Sequence, residues 1–320
     1  MSPRDEVPES VLPAGALDDQ DPVREGRDDF SPDYLEPFRT EGDGHPHNLH
    51  PHDAYLREGR IPHIWCDGCG LGTAMTGLIE GILRSGVAWK DVAVVSGIGC
   101  TGRTAGYLKL DGYHTTHGRP IPFATGLSIA KPGMKVIVVS GDGDLFAIGG
   151  NHFIHAARRN VDLLVYCVNN FNYAMTGGQM GPTTPTGAWT STSPGGHVEH
   201  PFNLVQLAAA AGAVYVARWT TLHVRQAMES VARAMTLPGF RFVEIISPCP
   251  TCFGRKNDLA RGLDTMKAYR DRTEIRNGAR PEEAAIGLDG RFTVGVFLDA
   301  PKPTFREQYD AMAARKGGKP

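Results

Sequence analysis

MKVIVVSGDGDLFAIGGNHFIHAARRNVDLLVYCVNNFNYAMTGGQ, residues 134–179, is the stretch that decides the fold. It contains two apolar runs, Val136–Val139 and Val161–Val168, separated by a segment long enough for a crossover helix. Continuous apolar runs are typical of parallel strands that are buried on both faces. We therefore predict a βαβ unit, and with it an α/β fold that has a mostly parallel sheet flanked by helices.

Polar residues follow both predicted strands at the points where the strands end. Ser140-Gly141-Asp142-Gly143-Asp144 follows the first strand, and Asn169-Asn170 ends the second. In open α/β sheets this edge is where ligands bind. Oxygen ligands such as the Asp142 carboxylate and the Asn170 amide suit Mg²⁺ carrying a diphosphate. A dinucleotide motif is excluded because Phe146 stands where its third glycine is required.

Composition narrows the class of protein further. The chain has 320 residues, a net charge of −2 and an ordinary charged fraction of 21%, which favour neither nucleic acid nor a membrane surface as partner. No apolar stretch is long enough to span a membrane, so we expect a soluble, cytoplasmic protein. Six cysteines in a chain of this length indicate metal or redox chemistry rather than a disulfide framework.

Hydrophobic periodicity predicts the remaining elements, of which the strands ending near Cys100 and Cys249 matter most for function. The predicted helices are 71–83, 122–130, 202–211 and 222–234. The predicted strands are 91–95, 213–217 and 241–246, with an edge strand at 292–297 and a polar, mobile tail at 301–320.

We expect three regions along the chain. Residues 1–54 are predicted to form an irregular extension, whose Gly42-Asp43-Gly44 follows no strand and whose histidines 45, 47, 50 and 52 are expected in a solvated loop. Residues 55–255 are predicted to form the cofactor-binding domain, and residues 256–320 a helical and edge-strand extension that contacts a partner subunit.

Four cysteines lie beside polar or glycine-rich turns: Cys66, Cys69, Cys100 and Cys249. Four thiolates fit either structural zinc or a [4Fe–4S] cluster. One close pair combined with two distant single cysteines at a cofactor edge favours the cluster. Cys252 is an alternative to Cys249 as fourth ligand, and Cys167, inside an apolar strand, is expected to be a core residue.

These motifs occur in the order found in the β subunits of 2-oxoacid:ferredoxin oxidoreductases, and the chain resembles above all the 2-oxoglutarate type, over residues 58–255. The motifs are Trp65-Cys66-x-x-Cys69-Gly70, Ser96-Gly97-Ile98-Gly99-Cys100, His117-Gly118-Arg119, Gly141-Asp142-Gly143-Asp144, Asn169-Asn170, Thr176-Gly177-Gly178-Gln179 and Ser247-Pro248-Cys249. Asp67 departs from the family, in which many members have proline.

The resemblance implies a thiamine-diphosphate (ThDP)-binding fold and a set of site residues. Cys66, Cys69, Cys100 and Cys249 would hold a [4Fe–4S] cluster, and Mg²⁺ would be bound by Asp142, the Asn170 side chain and the Asn172 carbonyl. Arg103 stands where members with dicarboxylic substrates carry a basic residue. The residues that would line ThDP are Ile98, Gly99, Cys100, Thr101, His117, Gly143, Asp144, Ala174 and Met175.

The resemblance also implies the activity and the partners. The reaction would be ThDP-dependent oxidative decarboxylation of 2-oxoglutarate to succinyl-CoA and CO₂, with electrons passed to ferredoxin and an α subunit completing the site in an (αβ)₂ or larger assembly. Pyruvate and branched or aromatic 2-oxoacids are alternative substrates. Two alternatives of other classes are a non-catalytic zinc or iron–sulfur scaffold or electron carrier, and a ThDP decarboxylase without a redox centre.

Overall fold

A computed structural model of the chain describes residues 52–315. The strands in this range are β1 Val92–Ser96, β2 Asp111–His114, β3 Lys135–Gly141, β4 Leu163–Asn169, β5 Asn172–Tyr173, β6 Gln179–Met180, β7 Tyr215–Thr220, β8 Phe240–Ile246, β9 Thr273–Ile275 and β10 Phe292–Asp299. The α-helices are α1 Leu71–Arg84, α2 Gly99–Gly102, α3 Thr104–Tyr107, α4 Pro120–Ala130, α5 Gly150–Arg159, α6 Leu204–Ala211, α7 Val224–Thr236, α8 Gly262–Arg272 and α9 Phe305–Arg315.

Eight of these strands form one sheet in the order β2–β1–β3–β4–β8–β7–β10–β9. The strands from β2 to β7 in this order pair in parallel, whereas β10 pairs antiparallel with β7. The remaining two, β5 and β6, form a separate antiparallel pair. The predicted α/β fold with a mostly parallel sheet is therefore confirmed.

Hydrophobic residues cover both faces of the sheet. Along β4, Leu164 and Tyr166 pack in the core under α1 and α7, while Leu163 and Val165 pack in the core under α4, α5 and α6. Because successive strand residues point to opposite faces, a strand buried on both sides is apolar throughout. This is why the central strands were evident from sequence, with boundaries within two or three residues of those predicted.

Two predictions about the C-terminal part are wrong. The strand predicted at 292–297 is present, but it is not the edge, because β9 pairs with its outer side. Part of the predicted mobile tail forms α9. The Thr304 hydroxyl accepts a hydrogen bond from the Glu307 N–H at 3.1 Å, and the Glu307 carboxylate accepts one from the Thr304 N–H at 2.7 Å. This reciprocal capping box begins the helix.

The predicted N-terminal extension lies mostly outside the described residues, as do the Gly42–Gly44 motif and His45, His47 and His50. His52 is described and is buried, with Nε2 at 2.7 Å from a Glu80 carboxylate oxygen, so the predicted solvated loop is wrong for this residue. The domain boundaries stay a prediction. Between residues 52 and 315, no helix is both long and apolar enough to span a membrane.

Candidate active site

The candidate site lies where four adjacent parallel strands end. Strands β1, β3, β4 and β8 are neighbours in the sheet, so the segments that follow them meet at one edge. A cleft of about 430 Å³ opens there. Its walls are Ile98, Gly99, Cys100, Thr101, Gly141, Asp142, Gly143, Asp144, Asn170, Asn172, Tyr173, Ala174, Met175 and Thr176. The structure thus brings together most of the residues that the sequence predicted to bind cofactor and metal.

Asp142 supplies a buried carboxylate to this cleft. Its side chain is almost inaccessible to solvent, its Oδ2 accepts a hydrogen bond from the Thr183 hydroxyl, and its Oδ1 accepts a longer one from the Asn170 N–H at 3.4 Å. Burial raises the pKa of Asp142 to about 6, although the hydrogen bond from Thr183 opposes this effect. A carboxylate with so little water around it is stabilised by a nearby cation.

Asn170 and Asn172 flank Phe171, which has a left-handed backbone with φ of 63°. Asn172 donates a side-chain hydrogen bond to the Asn170 carbonyl at 2.7 Å. The buried Oδ1 of Asn172 has no hydrogen-bond partner among the described residues. The Asp142 carboxylate and the side-chain amide oxygens of Asn170 and Asn172 are ligands of the kind that a hard cation such as Mg²⁺ prefers. The role of the Asn172 carbonyl as a metal ligand stays a prediction.

Both carboxylate oxygens of Asp144 accept hydrogen bonds from other residues of the protein. Its Oδ1 accepts hydrogen bonds from His117 Nδ1 at 2.5 Å and from the Gly118 N–H at 2.6 Å, and its Oδ2 accepts one from the Ser140 hydroxyl at 2.7 Å. His117 is not among the residues that line the cleft. It contacts Tyr173 edge-on, with 6.1 Å between the ring centroids. Because Nδ1 donates to Asp144, the Nε2 atom of a neutral His117 is an acceptor.

Cys66, Cys69, Cys100 and Cys249 lie close enough to interact electrostatically. Burial, with a smaller contribution from neighbouring cysteine thiolates, raises the pKa of Cys69 to about 11 and that of Cys100 to about 12. In the part of the chain that the structure describes, no three His, Cys, Asp or Glu side chains converge on one metal position. These cysteines can bind iron or zinc only as thiolates. Metal binding itself promotes the loss of the thiol protons.

The other two cysteines differ in environment. Cys167 is fully buried within β4, so the prediction that it is a core residue is confirmed. Cys252 lies one turn beyond Cys249, and its thiol donates to the Ala174 carbonyl at 3.4 Å. Its side chain therefore contacts the loop that lines the cleft. Which of Cys249 and Cys252 is the fourth ligand stays a prediction.

Arg103 is exposed and does not line the main cleft. It borders a neighbouring opening of about 950 Å³, together with Arg60 and His114. The two spaces adjoin through the short α2 segment, since Thr101 lines one and Gly102 the other. A role for Arg103 in binding a substrate carboxylate stays a prediction.

Sequence analysis missed several polar residues that support the site. Besides Thr183 at Asp142, Thr184 donates to the Phe171 carbonyl at 2.6 Å, and Tyr173 donates to the Gly143 carbonyl at 3.1 Å. The two threonines stand between Pro182 and Pro185 in the long loop after β6. The length of that loop was the available signal, since long loops in compact domains are often functional.

Comparison with known proteins gives consistent results. Residues 97–245 match the family model described as "Thiamine pyrophosphate enzyme, C-terminal TPP binding domain". The 2-oxoglutarate synthase subunit KorB of Methanothermobacter marburgensis is 47% identical over 272 residues, which are 84% of this chain and 94% of that protein. The subunit of the same name from Archaeoglobus fulgidus is 52% identical over 265 residues, or 82% and 95% of the two chains.

A solved structure shows the same relationship in three dimensions. It is 2-oxoglutarate:ferredoxin oxidoreductase from Magnetococcus marinus with 2-oxoglutarate, coenzyme A and succinyl-CoA bound. Its TM-score is 0.74 at 32% identity, covering 85% of this chain and 92% of that one.

Both the fold and the resemblance predicted from sequence are thereby confirmed. The sheet belongs to a thiamine-diphosphate-binding domain, and the relatives are subunits of a multi-subunit oxidoreductase, which implies an α partner. This chain belongs to the family of β subunits of 2-oxoacid:ferredoxin oxidoreductases, of the 2-oxoglutarate type.

Proposed function

We propose that the chain is the β subunit of a 2-oxoglutarate:ferredoxin oxidoreductase. Together with an α subunit it converts 2-oxoglutarate and coenzyme A to succinyl-CoA and CO₂. The electrons released pass through a [4Fe–4S] cluster to ferredoxin. The observation that carries this proposal is the position of Cys100. Cys100 lines the cleft at Asp142, and the Cys249, Cys69, Cys66 and Cys252 thiols lie close enough to raise the pKa of its own thiol. One residue thus links a cofactor cleft to a redox centre.

The diphosphate half of the cofactor site is assigned to the β3 and β4 ends. Asp142, Asn170 and Asn172 would hold Mg²⁺, and Ile98–Thr101, Gly143, Asp144, Ala174 and Met175 would line ThDP. Thiamine diphosphate, when bound, supplies the nucleophilic carbon and electron sink for decarboxylation of a 2-oxoacid. Asp144 accepts the hydrogen bond from His117 Nδ1 and so holds the imidazole ring in its edge-on position against Tyr173.

The redox half of the site is assigned to the four cysteines. A [4Fe–4S] cluster, when bound, supplies a one-electron outlet. Trp65 donates its indole N–H to the Cys100 carbonyl at 2.8 Å and packs edge-on against Tyr107 at 5.0 Å, which stabilises the turn that carries this cysteine. The rigid turn would keep the thiol near the cleft.

A partner subunit is required by the chemistry of the cofactor, because a carboxylate must activate its aminopyrimidine ring. The described residues contain one ThDP-type sheet, and the acidic residues of its cleft are accounted for by Mg²⁺ and by His117. We therefore assign the activating carboxylate to the α subunit, in an (αβ)₂ or larger assembly. The isolated chain is expected to be inactive, and full activity of the chain alone would contradict the proposal.

Substrate choice is assigned to Arg103, whose guanidinium would pair with the distal carboxylate of 2-oxoglutarate. Replacing Arg103 by alanine in the αβ complex is expected to raise KM for 2-oxoglutarate by about 10- to 100-fold, the loss of one charged hydrogen-bonded pair. The KM for pyruvate, which has no distal carboxylate, is expected to stay within about twofold. The measurement is anaerobic, coenzyme A-dependent reduction of ferredoxin.

The matched control is Arg225→Ala, which removes an exposed arginine from α7. It is expected to leave both KM values unchanged. Equal effects of Arg103→Ala on the two substrates would contradict the assignment and would favour pyruvate or another 2-oxoacid as the natural substrate.

A further inference from the structure

A buried chain of polar side chains runs behind the cleft, from β7 to Asp142. Arg218 donates through Nε to a Glu244 carboxylate oxygen at 2.6 Å and through Nη1 to the Ala284 carbonyl. The other Glu244 oxygen accepts a hydrogen bond from Asn169 Nδ2 at 2.9 Å. All three side chains are almost completely buried. The opposite charges of Arg218 and Glu244 neutralise one another, which makes it possible to bury this chain in the core.

These contacts determine the orientation of the Asn169 amide. Because Nδ2 faces the Glu244 carboxylate, Oδ1 must face the opposite way. There it accepts the Phe171 N–H at 3.0 Å and lies 3.1 Å from the Thr183 hydroxyl oxygen. The orientation thus follows from its partners and leaves an acceptor, not a donor, beside Thr183.

Thr183 lies between the Asn169 amide and the Asp142 carboxylate. Its side chain is buried, and its hydroxyl proton has two acceptors within reach, Asn169 Oδ1 and Asp142 Oδ2. The charged carboxylate is the stronger acceptor, so the proton lies on the Asp142 side. Since Thr183 engages Oδ2, the orientation of the whole Asp142 carboxylate depends on it.

The same amide also shapes the backbone between the two other oxygen donors. Phe171 has a positive φ, which is uncommon for a bulky residue. Asn169 binds its N–H, and Thr184 donates to its carbonyl at 2.6 Å. The backbone conformation that separates Asn170 from Asn172 is therefore held from both sides.

We propose that Thr183 is a positioning residue for the metal site, holding the Asp142 carboxylate through Oδ2, while the Asn169–Glu244–Arg218 chain holds the Phe171 backbone in place. This inference rests on the proposed role of Asp142, Asn170 and Asn172 in binding Mg²⁺. Thr183 acts through Asp142 and is not itself a ligand. Partners of this kind, one step removed from the metal, typically change metal affinity by about 10- to 100-fold when they are replaced.

The test compares Thr183→Val, which keeps the shape and removes the hydroxyl, with Thr183→Ser, which keeps the hydroxyl. Each is made in the αβ complex. Mn²⁺ binding is measured by electron paramagnetic resonance of the free ion, with ThDP present and no 2-oxoacid. Thr183→Val is expected to weaken Mn²⁺ binding by about 10- to 100-fold, and Thr183→Ser is expected to stay within about threefold of the wild type.

The matched control is Thr190→Val, because Thr190 is also a buried loop threonine, whose hydroxyl accepts the Ser193 N–H at 3.0 Å instead of contacting Asp142. It is expected to leave Mn²⁺ binding unchanged. If the Thr183→Val complex fails to assemble, Thr183→Ala replaces it in the same comparison.

The possible outcomes separate this inference from the function on which it rests. Normal Mn²⁺ binding by Thr183→Val, or equal losses in the serine and valine variants, would overturn the positioning role. A wild-type complex that binds no Mn²⁺ with ThDP would instead overturn the proposed cofactor site.

Discussion

Gly97 is the residue at which substitution should damage the site most sharply without touching a cofactor. It lies directly after β1, and a Cβ atom added there would stand 1.7 Å from Asp144 Oδ2 and 2.5 Å from the Ser140 hydroxyl oxygen. A Cβ atom in ordinary van der Waals contact lies 3.4–4 Å from its neighbours. Alanine would therefore force the Asp144 carboxylate to move, although it is buried and hydrogen-bonded through both oxygens.

The cost can be worked out from these contacts. Losing the hydrogen bond between Ser140 and the charged Asp144 costs about 1.5–3 kcal/mol, and forcing extra bulk into a packed interior costs about 1–3 kcal/mol. Gly97→Ala should thus lower the free energy of unfolding by about 2.5–6 kcal/mol. At about 2–4 °C per kcal/mol for a domain of this size, Tm should fall by at least about 5 °C.

The assay is thermal unfolding of the cofactor-free αβ complex, with Gly126→Ala as control. Gly126 is exposed in α4, and a Cβ there meets no atom within 4 Å. This variant should be unchanged or more stable by up to about 1 kcal/mol, because alanine is the better helix former. A Gly97→Ala complex whose Tm lies within 2 °C of the wild type, a limit set at about 1 kcal/mol, would refute the reasoning.

Two further predictions follow from the buried acids and thiols. Burial raises the pKa of Asp142 from 3.8 to about 6, so the folded protein loses stability as pH rises between these values. At pH 7 Asp142→Asn should therefore raise the free energy of unfolding of the cofactor-free complex by up to about 3 kcal/mol, and its Tm accordingly. The same variant should lose the stabilisation that Mg²⁺ and ThDP give to the wild type. An unchanged or lower Tm of the cofactor-free variant would contradict this. Cys249→Ser should lower the iron content of anaerobically purified complex, whereas Cys252→Ser should leave it near the wild-type value, and the reverse pattern would make Cys252 the fourth ligand.

The central strands could be predicted because their burial determines their composition. β3 and β4 are covered on both faces, and their central residues are apolar and mostly branched or aromatic. Strand β2 was missed because all four of its residues are exposed at the edge of the sheet. Its pairing with β1 stabilises it, and such long-range pairing leaves no local pattern in the sequence.

The residues of the candidate site also fall into those that could be predicted from the sequence and those that could not. Asp142 and Asn170 directly follow strands and could be found from the chain, whereas Thr183 reaches Asp142 across 41 residues. In the sequence, Glu244 is a charged residue within an otherwise mostly apolar strand. Its role becomes visible only once Arg218 and Asn169 are beside it. Contacts of this kind depend on tertiary structure, which local periodicity does not encode.

The central claim is that one subunit joins a ThDP cleft to an iron–sulfur centre. The most direct test is to purify the αβ complex anaerobically, measure its iron, zinc and ThDP, and then follow its visible absorbance after addition of 2-oxoglutarate and coenzyme A. We predict about four irons and near-stoichiometric ThDP per β chain, with bleaching of the iron–sulfur absorbance that requires 2-oxoglutarate. Zinc in place of iron, or an iron centre that 2-oxoglutarate does not reduce, would contradict the claim.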